Sequence, residues 1–146
     1  MPDPAILVPQ TPEARSALRG RPHVEIDRLP FRIGRESRLA MVEGELTFME
    51  RRKGARPPNN DLYLLDQGEL LNISREHLQI EQAADGGFVV HDRGSACGTQ
   101  VDDRTIGGRD TTGSLPLKEG SKIVIGTRES PYRFTIKNLQ ALAGNL

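Results

Sequence analysis

Short apolar runs, each ended within a few residues by glycine, proline or charged residues, recur along the whole chain. Residues 23–27 alternate apolar and polar side chains with period two, the pattern of a half-buried strand. Glycine-rich tracts at residues 85–87, 107–108 and 119–120 are typical of turns. Helical turns are expected only at residues 13–19 and 139–142, so the sequence predicts an all-β sandwich or barrel. The other predicted strands lie at residues 5–8, 31–33, 62–65, 78–80, 88–90, 123–125 and 132–136.

The composition limits the classes of partner. A chain of 146 residues suits one domain, with a core at about residues 5–137 and a short C-terminal tail at 138–146. Its formal charge is zero, so no global field steers it toward nucleic acid or an anionic membrane, and anion binding requires a local cluster of cations. The N-terminus lacks a basic, apolar leader and no apolar stretch reaches about 20 residues, which favours a cytoplasmic protein.

The segment 36–59 differs from the rest of the chain. It carries mixed charges, a basic run and then two prolines, Pro57 and Pro58. Residues 39–42 and 46–48 can form a hairpin, whereas a surface loop with a short helix fits the same composition. The basic run is most often a solvated face. It consists of Arg51, Arg52, Lys53 and Arg56.

Catalytic and metal-binding patterns are weak. The histidines and the single cysteine show no pair at zinc-ligand spacing, so no metal or cofactor is expected. Ser74 with His77, or Cys97 with His91 and Asp92, are possible nucleophile–base combinations. Neither a nucleophile elbow nor a P-loop accompanies them. The sequence therefore indicates that the chain is not an enzyme.

Five motifs occur in a fixed order, each next to a predicted strand. Together they resemble the forkhead-associated (FHA) family over about residues 5–137. The motifs are Ile33-Gly34-Arg35, Asn60-Asp61, Ile73-Ser74-Arg75-Glu76-His77, then the Asp92 to Thr99 run (DRGSACGT), and Leu117-Lys118-Glu119-Gly120 before a strand ending at Gly126.

The resemblance implies a twisted sandwich of two antiparallel sheets, about eleven strands, with the recognition loops at one end. It also implies binding of phosphothreonine in a partner protein, such as a Ser/Thr kinase or its substrate. Arg35 meets the phosphate with paired charge-assisted hydrogen bonds from an exposed strand end. Ser74 donates a further bond, and Arg75 adds charge or touches the peptide backbone.

Other motif residues are expected to support the site. The resemblance places the His77 ring inward, where it bonds loop backbone and fixes Ser74. Gly34 allows a close approach at its strand end. Ser95, Gly98 and Thr99 form the architecture of the following loop.

The chain departs from the family pattern at two places. One is the insertion at about residues 36–59. The other is Cys97, because the family commonly has Asn there, which bonds the peptide main chain, and a thiol is only a weak donor and acceptor. We expect Cys97 to face the peptide groove, and the alternative is an inward apolar filler. A phosphate-independent interaction module that uses the insertion or a sheet face is the alternative function.

Overall fold

The computed structural model of the protein describes residues 3–36, 39–42, 45–48, 59–68 and 70–145. Nearly all of its regular structure is strand. The strands are β1 (Ile6–Pro9), β2 (Val24–Glu25), β3 (Phe31–Arg35), β4 (Leu39–Val42), β5 (Glu45–Phe48), β6 (Leu62–Leu64), β7 (Leu78–Gln82), β8 (Phe88–Arg93), β9 (Thr99–Val101), β10 (Arg104–Ile106), β11 (Thr112–Leu117), β12 (Lys122–Ile125) and β13 (Arg133–Lys137). The helix α1 spans Pro12–Ala17, and a 3-10 helix spans Leu139–Asn145. Neither helix is long and apolar enough to cross a membrane.

Two sheets face each other across one apolar core, which confirms the predicted sandwich. One sheet has six strands in the order β10-β9-β12-β13-β1-β2, and the other has five in the order β11-β8-β7-β3-β6. Buried and less buried residues alternate along several strands, as in β13, where Phe134 and Ile136 are fully buried. The helix α1, with Ala14, and the residue that follows it, Leu18, close part of the core.

In the chain, the segment 36–59 lies between β3 and β6, which are neighbours in the five-stranded sheet. Strands β4 and β5 pair with each other as a separate hairpin, so the hairpin interpretation is confirmed. The chain then returns to place β6 parallel to β3, with Ile33 opposite Leu62 and Arg35 opposite Leu64. A parallel pair needs a long crossover connection, which residues 36–61 supply. The basic run at residues 51–56 lies outside the described residues.

Three strands were not predicted from the sequence. Strands β9 and β10 have three residues each, which is too few for a period to be recognised in the sequence, and Asp102 and Asp103 form the turn between them. Strand β11 contains Gly113 and Pro116, which normally argue against a strand. Because β11 lies at the edge of its sheet, Pro116 removes no interior ladder bond.

Candidate functional site

Loops from both sheets meet at one end of the sandwich and are tied by backbone hydrogen bonds. The Arg35 N–H donates to the Ser74 carbonyl at 3.0 Å, and the His77 N–H donates to the Ile33 carbonyl at 3.0 Å. On the other side, the Gly126 N–H donates to the Gly98 carbonyl at 2.9 Å. The end of β3, the loop before β7 and the loop after β8 therefore form one continuous surface.

Position 34 requires glycine because two neighbouring groups lie close to its Cα, as was expected from the sequence. A Cβ added there would lie 2.1 Å from the Arg75 carbonyl oxygen and 2.5 Å from the Asn60 side-chain amide. Asn60 itself bridges two loops, since its Nδ2 donates to the Arg75 carbonyl at 2.7 Å and its Oδ1 accepts from Arg93 at 2.9 Å. Asn60 belongs to one of the sequence motifs, but no role was predicted for it. Its amide holds the loop carrying Ser74 and Arg75 against β3.

The expectation that Arg35 lies at an exposed strand end is wrong. Arg35 is only 7% exposed, because β3 is flanked by β6 on one side and β7 on the other. Its Nε donates to the Ile73 carbonyl at 2.7 Å, which fixes the plane of the guanidinium. Because the guanidinium is buried, water screens its charge less than it screens the charge of a surface arginine. An anion that reaches Arg35 is therefore attracted more strongly.

Ser74 is half-buried and its hydroxyl oxygen accepts the Ala96 N–H at 3.0 Å. That bond links the Ser74 loop to the loop after β8. A serine hydroxyl also carries one donor, and the Ser74 hydroxyl donates to no group in the described part of the chain. The arrangement leaves the Ser74 proton available for an acceptor oxygen at the site. Arg75 follows directly, with a half-buried side chain.

The imidazole of His77 is fully buried and bonds both the loop before β7 and the loop after β8. Its Nδ1 accepts the Ser74 N–H at 2.9 Å, so its Nε2 carries the proton and donates to the Gly98 carbonyl at 2.8 Å. Burial lowers the pKa of His77, and the Gly98 carbonyl and the Asp92 carboxylate oppose that shift. The ring is therefore neutral and links the backbone of Ser74 to the backbone of Gly98 in the loop after β8.

Folding stability should fall between pH 7.5 and pH 5.5. The unfolded His77 ring titrates near pH 6.5, whereas burial lowers its pKa in the folded chain. The unfolded state then binds more protons, so stability is full above about pH 6.5 and is lost as pH falls toward the folded pKa. Denaturant unfolding across this range measures the slope. His77→Gln should flatten it, whereas His23→Gln, at an exposed position, should not. A wild-type slope of zero would contradict the prediction.

Asp92 organises the loop after β8, a role that was not predicted from the sequence. The carboxylate is fully buried and accepts four hydrogen bonds. Oδ1 accepts the N–H groups of Gly94 (2.9 Å) and Ser95 (2.7 Å), and Oδ2 accepts the hydroxyls of Ser95 and Thr99, both at 2.7 Å. The Ser95 hydroxyl in turn accepts the Gly98 N–H at 2.9 Å. An Asp near the end of a strand, shortly before Gly94 and Ser95, is a turn signal that could have been used.

Cys97 lies at the edge of this loop and is half-buried. Its Sγ is 3.4 Å from the carbonyl oxygen of Leu71, so the thiol donates across to the loop that precedes Ser74. The side chain is thus directed along the surface where the two loops meet. The neighbouring Arg93 forms an ion pair with Glu76.

A second buried carboxylate fixes the loop before Ser74. Asp66 is 4% exposed and accepts the N–H groups of Gly68 (3.1 Å), Asn72 (2.7 Å) and Ile73 (3.0 Å). It also accepts a hydrogen bond from the Tyr132 hydroxyl at 2.8 Å. Burial, and to a smaller extent this hydrogen bond to Asp66, raises the pKa of Tyr132 to about 12. Gly68, Asn72 and Ile73 are therefore held to this carboxylate by their backbone N–H groups.

The catalytic combinations considered from the sequence are not assembled. His77 Nδ1 accepts the backbone N–H of Ser74, not its hydroxyl. His91 bonds the Ser114 hydroxyl at 2.8 Å, while the Cys97 thiol bonds Leu71. Over the described residues, no group of three or more His, Cys, Asp or Glu side chains is placed to hold a metal ion.

Comparison with known proteins agrees with this geometry. The FHA domain family model matches residues 31–126, and no curated protein sequence matches the chain. The N-terminal FHA domain of S. cerevisiae Rad53p, solved with a phosphothreonine peptide, has 14% sequence identity and a TM-score of 0.59, covering 99% of this chain and 100% of that one. An FHA domain of an Arabidopsis thaliana hypothetical protein has 22% identity and a TM-score of 0.52, covering 94% and 86%.

Mycobacterium tuberculosis EmbR, solved with a low-affinity phosphopeptide, has 20% identity and a TM-score of 0.51. The match covers 91% of this chain and spans 24% of the length of EmbR. The family model matches well over half of the chain, and the structural neighbours share the sandwich. The protein therefore belongs to the FHA domain family, whose members are interaction modules.

Proposed function

We propose that this protein is a phosphothreonine-dependent interaction module, with the phosphate bound between Arg35 and Ser74. The observation that carries the proposal is that a buried, oriented guanidinium lies next to an available hydroxyl donor. The guanidinium comes from the end of β3 and the hydroxyl from the loop before β7, and the Arg35–Ser74 backbone bond joins the two. Rad53p and EmbR were each solved with a phosphorylated peptide, which supports a ligand of this kind.

The chemistry of a phosphothreonine suits these groups. It carries about −1.5 to −2 charge at neutral pH and presents three acceptor oxygens. Arg35 supplies a charged planar donor, and the Ser74 hydroxyl adds a hydrogen bond to a second oxygen. Arg75 adds positive charge beside them. His77 and Asp92, through the loops they fix, hold these donors in place before the ligand arrives, which lowers the ordering cost of binding.

In this proposal the partner is a protein phosphorylated by a Ser/Thr kinase, or the kinase itself, and the protein acts as a signalling adaptor in the cytoplasm. A degenerate phosphothreonine peptide library, compared with its unphosphorylated copy, tests the proposal. Retention of phosphorylated members with a defined sequence preference supports it. Equal retention of both libraries would point to a phosphate-independent module instead.

Replacing Cys97 by Asn should tighten phosphopeptide binding between about twofold and tenfold, the effect of one additional neutral hydrogen bond. We propose that position 97 faces the peptide, where an amide offers both a donor and an acceptor. Titration calorimetry measures the change. The melting temperature should change little, and Cys97→Ser, which adds no amide, should bind like the wild type. A destabilised Cys97→Asn with no affinity gain would show that the side chain serves packing alone.

A further inference from the structure

A groove lies on the outer face of the six-stranded sheet, apart from the proposed phosphate site. It runs across β9, β12 and β13 and is bordered by the loop between β12 and β13. Val124 lies opposite Gln100 on one side and opposite Arg133 on the other, and residues opposite each other share one face of a sheet. Because the neighbouring Ile123 and Ile125 belong to the core, this row faces outward.

The floor of the groove is buried and carries no charge. Gln100 is 5% exposed and Val124 is 8% exposed. The Gln100 amide is occupied within the protein, since its Nε2 donates to the Gly126 carbonyl at 3.1 Å and its Oε1 accepts the Thr105 hydroxyl. The floor therefore offers a ligand no free polar group from Gln100, and the charges around it decide what binds.

Three exposed cations border this floor, namely Lys122, Arg128 and Arg133. In the described part of the chain, none of the three forms an ion pair with a carboxylate. Glu129 follows Arg128 in the chain but does not line the groove. The cations are therefore able to pair with an anion that a ligand brings.

The guanidinium of Arg133 is oriented before any ligand binds. Its Nε donates to the Ser130 carbonyl at 3.1 Å, and its Nη2 donates to the Arg128 carbonyl. Ser130 is itself buried, and its hydroxyl donates to the Ile125 carbonyl at 2.6 Å, which anchors the loop. A guanidinium held in this way loses little side-chain freedom on binding, and its remaining N–H groups suit a carboxylate.

The charges differ between the two ends of the groove, and this difference selects the ligand. Asp102 and Asp103 line the end at the β9–β10 turn, where the Asp102 carboxylate accepts the Lys122 N–H at 2.9 Å. Arg128 and Arg133 line the other end. A nucleic acid carries phosphates along its whole length, so it would meet the two aspartates as well as the arginines. A peptide can place carboxylates beside the arginines alone.

We infer that the groove binds an acidic, unphosphorylated segment of the partner protein through Arg128 and Arg133. The Gly126 N–H bond to the Gly98 carbonyl places the arginine end of the groove at the same end of the sandwich as the phosphate site. Ten residues of extended chain span about 33 Å, roughly twice the radius of gyration of about 15 Å expected for a domain of this size. One partner can therefore occupy both sites.

The acidic contact itself goes beyond the proposed function, because it needs no phosphate. Its presence in the same partner as the phosphothreonine rests on the proposed function. The experiment therefore has one arm that depends on phosphate and one arm that does not.

The first arm compares a phosphothreonine peptide with the same peptide extended, at either end, by a ten-residue Gly/Ser linker and four glutamates. In calorimetry one of the two extensions should tighten binding about fivefold, and four glutamines in place of the glutamates should change it by less than twofold. Arg128→Gln combined with Arg133→Gln should abolish the gain and keep the preference for phosphorylated peptide. The matched control, Lys118→Gln combined with Lys137→Gln, removes two exposed charges that do not line the groove and should keep the gain.

The second arm uses the linker and four glutamates without phosphothreonine. NMR of the isotope-labelled protein should show the Arg133 Nε–H resonance shifting as this peptide is added, because the guanidinium meets a carboxylate. The shift should weaken as salt is raised, since the pair is at the surface. The four-glutamine peptide should leave the resonance unchanged.

Each outcome decides one of the two claims. Equal affinity for the extended and unextended peptides, with no shift of the Arg133 resonance, would overturn the inference and leave the proposed function intact. A gain that survives the double arginine substitution, or that the lysine control also loses, would overturn it as well. Tighter binding of a single-stranded oligonucleotide than of the glutamate peptide would assign the groove to nucleic acid instead. A retained Arg133 shift without any preference for phosphorylated peptide would refute the proposed function and support the acidic contact alone.

Discussion

Arg35→Ala should weaken phosphothreonine-peptide binding by about 30-fold or more, the effect of removing one partner of a desolvated charge pair. Arg35→Lys should recover only part of the loss, because an ammonium lacks the planar fork that meets two phosphate oxygens. Both variants should be less stable by about 1–3 kcal/mol, since the buried Ile73 carbonyl loses the donor that it has in the wild type. Calorimetry and thermal unfolding measure the two effects separately.

The matched control for charge is Arg104→Ala. Arg104 is exposed and pairs with Val101 near the turn of the β9–β10 hairpin, at the end of β9 away from the Gly98 loop. Removing it changes the net charge by the same amount without touching the site. Its affinity should therefore remain within about twofold of the wild type at moderate salt. A folded Arg35→Ala protein with unchanged affinity would refute the assigned phosphate contact.

Asp92→Asn should reduce folding stability by about 3–5 kcal/mol, the largest effect on stability that we expect from a single isosteric change. An amide NH₂ group replaces one oxygen of the carboxylate and cannot accept a hydrogen bond. Two of the four donors that Asp92 binds therefore lose their partner. Each buried charge-assisted bond contributes roughly 1.5–3 kcal/mol. Denaturant unfolding monitored by circular dichroism measures the loss.

Asp85→Asn is the control for that change. Asp85 accepts the Gly87 N–H at 2.8 Å in a turn between β7 and β8, but it is exposed. Water can replace the lost bond there, so stability should change by no more than about 0.5 kcal/mol. Similar losses at both positions would mean that the Asp92 network does not depend on burial and would contradict our account of the loop.

The fold was predictable wherever burial imposed a period on the sequence. Strands such as β8, with alternating buried residues, registered clearly. Strand β11 did not, because Pro116 is tolerated only through its edge position, and edge position is a property of the sheet order. The pairing of β3 with a distant parallel strand was equally invisible, and it is this pairing that buries Arg35.

The contacts at the site were likewise predictable only where they are local in the sequence. Ser74 and His77 lie three residues apart, so their relation was predictable from the motif. The partners of Asp66 include Tyr132, which lies 66 residues away, and no local pattern joins them. The thiol contact between Cys97 and Leu71 likewise depends on how two loops meet. The residues of the site could be predicted from the sequence, whereas the contacts that hold them in place became visible only in the structure.

The most direct test of the account compares one peptide in two forms. A phosphothreonine peptide selected from the library and its unphosphorylated twin are titrated into the wild-type protein by calorimetry at pH 7.5. We predict that the phosphorylated form binds at least about 30-fold more tightly. Its advantage should shrink as pH falls through about 6, where the phosphate loses its second charge. Equal affinity for the two peptides at pH 7.5, and throughout the fall in pH, would contradict the central claim.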